Sequence, residues 1–133
     1  MMQKRKILEL PFASSAVIRD PLLSTDGGDL LLWMEFDDEG KTQSVCLRFV
    51  KQRAFRKRSE TYCTAWHVID TFDTVCEVQG SDWEQELRSA SASEWRNQWV
   101  MRHFIIYLDS FGCVEVVAES VVLDDGARNS GGT

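Results

Sequence analysis

The feature that most constrains this chain is a strict two-residue alternation along RHFIIYLDSFGCVEVVAESVVL, residues 102–123. Apolar side chains recur at every second position on both sides of the short segment Asp109-Ser110-Phe111-Gly112. Alternation of this kind, rich in β-branched and aromatic residues, is typical of half-buried β-strands. Residues 102–123 are therefore predicted to form a long β-hairpin.

The length of the turn decides which residues of this hairpin face each other. A two-residue loop would place Glu115 opposite Ile106, which puts a carboxylate on the apolar face. A three-residue loop that ends at Gly112 instead pairs Leu108 with Val114, and it gives the glycine the positive φ that a type I turn with a bulge needs. Because a one-residue slip turns every side chain to the opposite face, the alternation favours the longer loop.

With that loop, the mixed face of the hairpin places His103 opposite Glu119 and Tyr107 opposite Glu115. A neighbouring carboxylate favours the charged imidazolium, and such a pair can act as a general base with its orienting group. A cross-strand polar pair on a half-exposed sheet has the same appearance in a sequence. The candidate binding residues are these four and His67, which precedes them in the chain.

No sequence motif assigns a catalytic residue, a metal ligand or a cofactor. The patterns GxSxG, HExxH, GxGxxG and the Walker motif do not occur in the sequence. The four cysteines, at positions 46, 63, 76 and 113, form no CxxC pair. They are expected to be buried thiols that pack as small apolar side chains.

The 133 residues are enough for one domain, which we expect over residues 1–123. The polar, glycine-rich segment 124–133 is expected to be a flexible tail. Basic residues 4–6 precede an apolar run that Glu9 and Pro11 interrupt, so the run is too short for a secretory signal. No apolar run approaches the roughly 20 residues of a membrane-spanning helix. The sequence therefore predicts a cytoplasmic protein.

The charges are distributed unevenly along the chain. The net charge is −6, and eight of the fifteen basic residues lie within residues 4–6 and 51–58, which contain none of the twenty-one acidic residues. We therefore expect an acidic surface, which repels nucleic acid and attracts basic partners. The five basic residues around Phe55 could contact phosphates. These five residues produce positive potential over a narrow region only, however, so the favoured interpretation of the segment is a solvated strand end.

Further strands are predicted over residues 4–10, 30–37, 43–51, 61–69 and 72–78. The first of them is expected at a sheet edge, and residues 11–29 are expected to form a long loop. A four-residue turn after residue 37 pairs Met34 with Val45 on an apolar face.

Ser81 and Glu84 form a capping box at the start of an amphipathic helix, which is predicted over residues 82–90. Taken together, the elements predict an α+β fold. It consists of a mostly antiparallel sheet of about six to seven strands, with one main amphipathic helix packed on one face and a C-terminal β-hairpin.

Several segments in the second half of the chain resemble those of small uncharacterised bacterial proteins: Phe72-Asp73-Thr74, Ser81-Asp82-Trp83, Arg102-His103-Phe104 and Tyr107-Leu108-Asp109-Ser110. The general type is similar to the immunity proteins of toxin systems. This resemblance implies a protein that binds a partner and performs no chemistry, and it carries over no catalytic residue.

The first functional hypothesis is a non-enzymatic binding protein, immunity-like, that neutralises a basic protein partner through an acidic surface. Trp83, Trp95 and Trp99 are candidate interface anchors if they are exposed. No nucleic-acid or membrane partner is expected, and a homodimer is compatible with the sequence.

The alternative hypothesis is a small-molecule-binding protein or an enzyme. Its pocket would lie around His103, Glu119 and Tyr107, because that face of the hairpin mixes apolar and polar side chains as ligand pockets do.

Overall fold

The computed structural model describes residues 2–91 and 98–125. In this part of the chain, nine strands form two antiparallel sheets. The strands are β1 (Gln3–Glu9), β2 (Leu22–Asp26), β3 (Asp29–Asp38), β4 (Lys41–Val50), β5 (Ala54–Ser59), β6 (Thr74–Gln79), β7 (Arg102–Leu108), β8 (Gly112–Ala118) and β9 (Ser120–Asp125). The helices are α1 (Ala65–Val68) and α2 (Asp82–Ala90), and 3-10 turns cover Ser14–Ala16 and Glu60–Tyr62. The α+β class is confirmed, whereas the predicted sheet of six to seven strands with one helix is wrong in its counts.

The two sheets pack face to face around one core. The strand order is β2-β3-β4-β9 in the four-stranded sheet and β1-β6-β7-β8-β5 in the five-stranded sheet. In the central strands the residues that point inward alternate along the chain and are almost fully buried, among them Leu32, Phe36 and Leu47 of one sheet and Phe104 and Ile106 of the other. The apolar residues that alternate in the sequence therefore form the inner faces of the two sheets.

The β3–β4 hairpin has the predicted register. Met34 lies opposite Val45, although the pairing continues to Asp38 and Lys41 and leaves a loop of two residues, where four were predicted. The two loop residues, at 39 and 40, have φ of 53° and 84°. Positive φ at both positions is the geometry of the type I′ turn, which matches the twist of the flanking strands.

The final hairpin keeps the predicted faces but has a different pairing. Leu108 lies opposite Gly112 where Val114 was predicted, a shift of two residues that leaves each side chain on its predicted face. Gly112 has a φ of 120°, and a Cβ atom at this position would lie 2.1 Å from the carbonyl oxygen of Arg58 on β5. The close approach of β5 to β8 therefore requires a glycine at the first position of β8.

The predicted strand that follows this turn is in fact two strands in two sheets. β8 ends at Ala118, and the backbone N–H of Glu119 donates to the carbonyl of Val50 at 2.9 Å. β9 then continues along β4 in the four-stranded sheet. The shift of two residues in the hairpin places His103 opposite Val117, so the predicted pairing with Glu119 is wrong.

Two other predictions need correction. Residues 61–69 form no strand, since they contain the end of a 3-10 turn and helix α1. Thr64 and His67 start α1 together, because the backbone N–H of Thr64 donates to Nδ1 of His67 at 2.9 Å, and this local cap outweighs the alternation. The predicted loop over residues 11–29 contains strand β2.

The predicted helix over residues 82–90 is confirmed as α2. Helices α1 and α2 both pack against β7, so they cover the outer face of the five-stranded sheet as a third layer. Strand β9 extends to Asp125, two residues past the expected end of the domain. Trp95 and the remainder of the expected tail lie outside the described residues.

The longest described helix, α2, has nine residues, and none of the described helices is long and apolar enough to cross a membrane. All four cysteines are free thiols, and Cys46, Cys76 and Cys113 are buried. Burial raises the pKa of Cys46 to about 11 and that of Cys113 to about 12. These two thiols are therefore protonated and unreactive at neutral pH.

Candidate functional site

A series of polar side chains lies on the outer face of the five-stranded sheet and centres on His103, and all of its members except Arg56 are buried. Nδ1 of His103 lies 2.7 Å from Oγ of Ser81, and Nε2 lies 2.7 Å from Oε1 of Glu115. Arg56 binds the same carboxylate from β5. We call Ser81, His103, Glu115 and Arg56 the His103 chain.

One neutral tautomer of His103 satisfies all of its partners. The Ser81 hydroxyl donates to Nδ1, and the Nε2–H donates to the carboxylate of Glu115. Oγ of Ser81 also accepts the backbone N–H of Glu84 at 3.0 Å. In this arrangement every donor meets an acceptor, which buried polar groups require.

Arg56 and Glu115 face each other across β5 and β8. Nε of Arg56 lies 3.1 Å from one carboxylate oxygen, and Nη2 lies 3.1 Å from the other. Burial alone would raise the pKa of Glu115, but the bonds from His103 and Arg56 outweigh it and lower this pKa to about 2. Glu115 is therefore ionised at neutral pH although it is 3% exposed.

Trp83, in the first turn of α2, covers the His103 chain. Its ring meets the His103 ring edge to face, with 5.1 Å between the centroids. The guanidinium of Arg56 lies 4.0 Å from the centroid of the Trp83 ring. Aromatic and cation–π contacts of this kind add to the hydrogen bond from Ser81. The start of α2 is therefore held on the sheet by its N-cap, Ser81, and by Trp83 in its first turn.

A serine, a histidine and a carboxylate in series can activate a serine for acyl transfer. Here, Ser81 is 4% exposed and His103 is 2% exposed. The oxygen of Ser81 already caps α2, so the hydroxyl lies inside the contact between helix and sheet. This geometry favours a structural role, in which the His103 chain fixes the start of α2 on the five-stranded sheet.

Two cavities of about 270 Å³ each reach the start of α2, and both are lined by Ser81 and His103. Trp66, Trp83 and Arg56 also line one of them. The other candidate binding residues line neither cavity. Of the residues around which the alternative hypothesis predicted a pocket, His103 therefore lines both of these cavities, and Glu119 and Tyr107 line neither.

Tyr107 and His67 have separate structural roles. The Tyr107 hydroxyl donates to Glu60 at 2.9 Å, and burial together with this carboxylate raises the pKa of Tyr107 to about 12. His67 caps α1, and its pKa is lowered by burial and then by the nearby guanidinium of Arg58. Both side chains are engaged in local packing.

Glu119 lies where the chain passes from one sheet to the other. Its carboxylate is 3.8 Å from Nζ of Lys51 and 4.0 Å from Nη2 of Arg53. Among the five candidate residues, the structure thus joins His103 with Glu115 by a hydrogen bond, and it gives Glu119 different partners.

Sequence reasoning did not assign Arg56 and Trp83 to the His103 chain, and it recognised Ser81 only as a helix cap. One signal was available for Arg56. Glu115 lies in an otherwise apolar alternating strand, and a buried carboxylate needs a cation. The nearest dense source of cations in the sequence is the segment 51–58.

The outer face of the four-stranded sheet is the second candidate site. The strand register places five carboxylates on this face: Asp26, Asp29, Glu35, Asp37 and Asp124. We call this surface the acidic face. Among its described strand residues only Arg48 is basic, and Arg19 adds a second cation from the loop before β2, with Nε 2.6 Å from Glu35.

Arg48 binds several of these carboxylates at once. Its Nη1 lies 2.7 Å from Asp29 and 3.4 Å from Asp26, and its Nε lies 3.9 Å from Asp124. Hydrogen bonds from the Lys51 backbone and the Arg48 side chain lower the pKa of Asp29. Asp29 is therefore ionised at neutral pH, and the two guanidinium groups of Arg48 and Arg19 leave an excess of negative charge on the acidic face.

The two basic segments of the sequence occupy opposite edges of the five-stranded sheet. β1 and β5 are its edge strands, and they carry three basic residues each: Lys4, Arg5, Lys6, Arg56, Lys57 and Arg58. Charged side chains on an edge strand hinder pairing with other chains. Since neighbouring strands lie about 4.8 Å apart, roughly 19 Å separates these two edges.

No protein-family model, curated protein or solved structure matches this chain. The described residues contain no group of three or more His, Cys, Asp or Glu side chains placed to hold a metal ion. The choice between the two candidate sites therefore depends on their geometry and charge.

Proposed function

We propose that this protein is a non-enzymatic binding protein that neutralises a basic protein partner through its acidic face, in the manner of an immunity protein. The observation that carries this proposal is the segregation of charge. Five carboxylates and two guanidinium groups, those of Arg48 and Arg19, lie at the outer face of the four-stranded sheet, while six residues of the basic segments lie on the edges of the other sheet.

A face of this kind suits a basic partner in two ways. Its carboxylates raise the rate of encounter with a positively charged surface, and Asp26 and Asp37 are exposed to such a partner. Glu39, in the turn after β3, is also exposed. Side chains of both signs at a rim would pair with each other, whereas an excess of one sign remains available to a partner.

The packing around His103 supports a binding role over catalysis. The mixed face of the final hairpin is covered by α1 and α2, and Ser81 is used as a helix cap. The acidic face, by contrast, retains exposed apolar side chains beside its charges, with Leu22 62% and Val122 42% exposed. Apolar area ringed by charged groups is common in protein interfaces.

The test measures binding to the protein encoded by the neighbouring gene, with both proteins purified separately. We expect the dissociation constant from calorimetry to rise at least about tenfold between about 50 and about 500 mM NaCl, because added salt screens exposed charges. The double variant Asp26→Asn with Asp37→Asn should weaken binding at low salt by about tenfold or more.

A matched control removes the same charge from the opposite side of the protein. Asp82→Asn with Glu86→Gln neutralises two exposed carboxylates of α2 and should change the affinity by less than about threefold. Absence of salt-sensitive association, or equal losses in the two double variants, would contradict the proposal.

Small-molecule binding is the second candidate function, and the cavity of about 270 Å³ between Trp66 and Trp83 supports it. Two indole rings beside a guanidinium suit a flat aromatic ligand. A screen of small aromatic fragments by NMR tests this function. Saturable shifts of both indole N–H signals, lost in Trp66→Ala, would support it, and the absence of any such fragment would contradict it.

A further inference from the structure

The acidic face contains a cavity whose lining is largely apolar. The cavity has a volume of about 290 Å³ and lies beside Trp33. Its walls include Leu22 from β2 and Ser44 from β4, and the Arg19–Glu35 ion pair forms part of its rim. A cavity of this size accommodates one large side chain.

Strand pairing explains why apolar groups meet at this place. Leu22 lies opposite Trp33 across β2 and β3, and both point to the outer face because the neighbouring residues, Leu23 and Leu32, belong to the core. The Trp33 indole N–H donates to Oγ of Ser24 at 3.2 Å. The ring is therefore held in one orientation, with an apolar surface toward the cavity.

The side chain of Leu22 is largely exposed and does not belong to the core of the fold. The side chain is 62% exposed, and Ile18, in the loop that leads to β2, is 46% exposed. Leu22 also belongs to an edge strand, where natural proteins commonly place charge. An exposed apolar side chain in the wall of a cavity, as Leu22 is here, is an arrangement typical of an interface anchor site.

The charges around the cavity indicate which kind of side chain would enter. Along the outer side of β3, Asp29, Leu31, Trp33, Glu35 and Asp37 follow one another, so carboxylates bracket the two apolar positions at both ends. A segment with an apolar side chain between two basic ones matches this order, because each basic group then lies beside a carboxylate, in addition to the Arg48 and Arg19 side chains that already contact Asp29 and Glu35.

From these contacts we propose that the Trp33 cavity is the anchor subsite of the acidic face. It binds one large apolar side chain of the basic partner while the flanking lysine or arginine residues lie beside Glu35 and Asp37 on one side and Asp29 on the other. This inference rests on the proposed function and adds to it the part of the partner that is recognised.

Two synthetic peptides of equal charge provide the test: Lys-Gly-Lys-Phe-Lys-Gly-Lys and the same sequence with serine in place of phenylalanine. Each is titrated into the isotopically labelled protein, and binding is followed by NMR. We expect the phenylalanine peptide to bind about tenfold more tightly, because burial of a side chain of this size contributes about that factor or more. It should also shift the Trp33 indole N–H signal.

Two single variants locate the effect. Leu22→Ala removes the exposed wall of the cavity and should abolish most of the preference for the phenylalanine peptide while the serine peptide binds unchanged. Val122→Ala removes a similarly exposed apolar group of the same face, on β9, and should leave the preference unchanged. The backbone signals in the same spectra report whether each variant is folded.

The possible outcomes separate this inference from the proposed function. If both peptides bind equally and shift only the carboxylate-bearing residues, the acidic face binds basic ligands and the anchor subsite is refuted. If neither peptide binds, or both bind away from the acidic face, the anchor subsite and the proposed docking face are both refuted. A preference for phenylalanine that survives in Leu22→Ala also refutes the subsite.

Discussion

At the scale of single residues, the choice of carboxylate for His103 has a large energetic consequence. The Glu115 side chain is 3% exposed and is bonded to His103 and Arg56, whereas the Glu119 side chain is 36% exposed and lies 3.8 Å or more from its cations. Removing one member of a buried network leaves its partners without a counter-charge. An exposed ion pair contributes about 1 kcal/mol or less.

Glu115→Gln is therefore expected to lower the free energy of unfolding by roughly 2–4 kcal/mol. The amide has the shape of the carboxylate but no charge for Arg56, and it turns one acceptor into a donor. Glu119→Gln is the matched control and should change stability by less than about 1 kcal/mol. Urea denaturation measures both, and equal effects would show that the His103 chain does not stabilise the fold.

The low pKa of Glu115 also predicts a pH dependence. Its value of about 2 in the folded protein lies below the ordinary value for glutamate, about 4.3. A group whose pKa is lowered by folding contributes stability above the unfolded value and loses it as the pH falls through the folded value.

We therefore expect the stability difference between the native protein and Glu115→Gln to shrink as the pH falls from about 5 toward 2. Denaturation of both proteins at several pH values measures this difference. The other carboxylates are the same in both proteins, so their contributions to the pH dependence largely cancel in it. A difference that stays constant over the whole range would contradict the ionised, hydrogen-bonded state of Glu115.

At the scale of elements, β8 is the strand from which the chain passes from one sheet to the other. It pairs with β7 and β5 in one sheet, and the chain then enters the other sheet as β9. Gly112 begins β8 directly against the backbone of β5. The pairing of β5, β8 and β7 in this register therefore requires that residue 112 has no side chain.

Gly112→Ala is expected to cost at least about 2 kcal/mol more than Gly40→Ala. Both glycines have positive φ, which costs alanine about 1–2 kcal/mol, but a Cβ at Gly40 meets nothing within 4 Å while one at Gly112 meets backbone atoms. Thermal or urea unfolding of both variants measures the difference. Similar losses at the two sites would mean that β5 can move away from β8 without penalty.

At the scale of the whole molecule, the layers differ in charge. The four-stranded sheet presents the acidic face, six basic residues lie on the two edge strands of the five-stranded sheet, and α2 carries Asp82 and Glu86 over the outer face of that sheet. Several of the edge cations are also paired, as Arg56 is with Glu115 and Arg5 with Glu77. Within residues 2–91 and 98–125, no broad basic field results from this arrangement.

The protein is therefore expected not to retard duplex DNA in a gel-shift experiment at about 150 mM NaCl. Affinity for DNA depends on many simultaneous phosphate contacts, and the edges that carry the basic residues lie roughly 19 Å apart with acidic groups between them. A salt-sensitive shift that Lys57→Ala or Arg58→Ala weakens would show that the β5 edge binds nucleic acid.

Local pattern was enough to predict several elements of this fold. The β3–β4 hairpin follows from two alternating runs close in sequence, because only one register places Met34 and Val45 on the same buried face. Helix α2 follows from Ser81, which caps it as predicted. In these cases the interacting residues are neighbours along the chain, so the sequence contains the full interaction.

Only the tertiary structure decided how these elements combine. A shift of two residues keeps every side chain of the final hairpin on its face, so the apolar pattern did not distinguish Glu115 from Glu119 as the partner of His103. The crossing at Glu119 depends on a hydrogen bond to Val50, which is distant in sequence. The acidic face arises in the same way, since carboxylates from three strands, β2, β3 and β9, meet only when the four-stranded sheet is assembled.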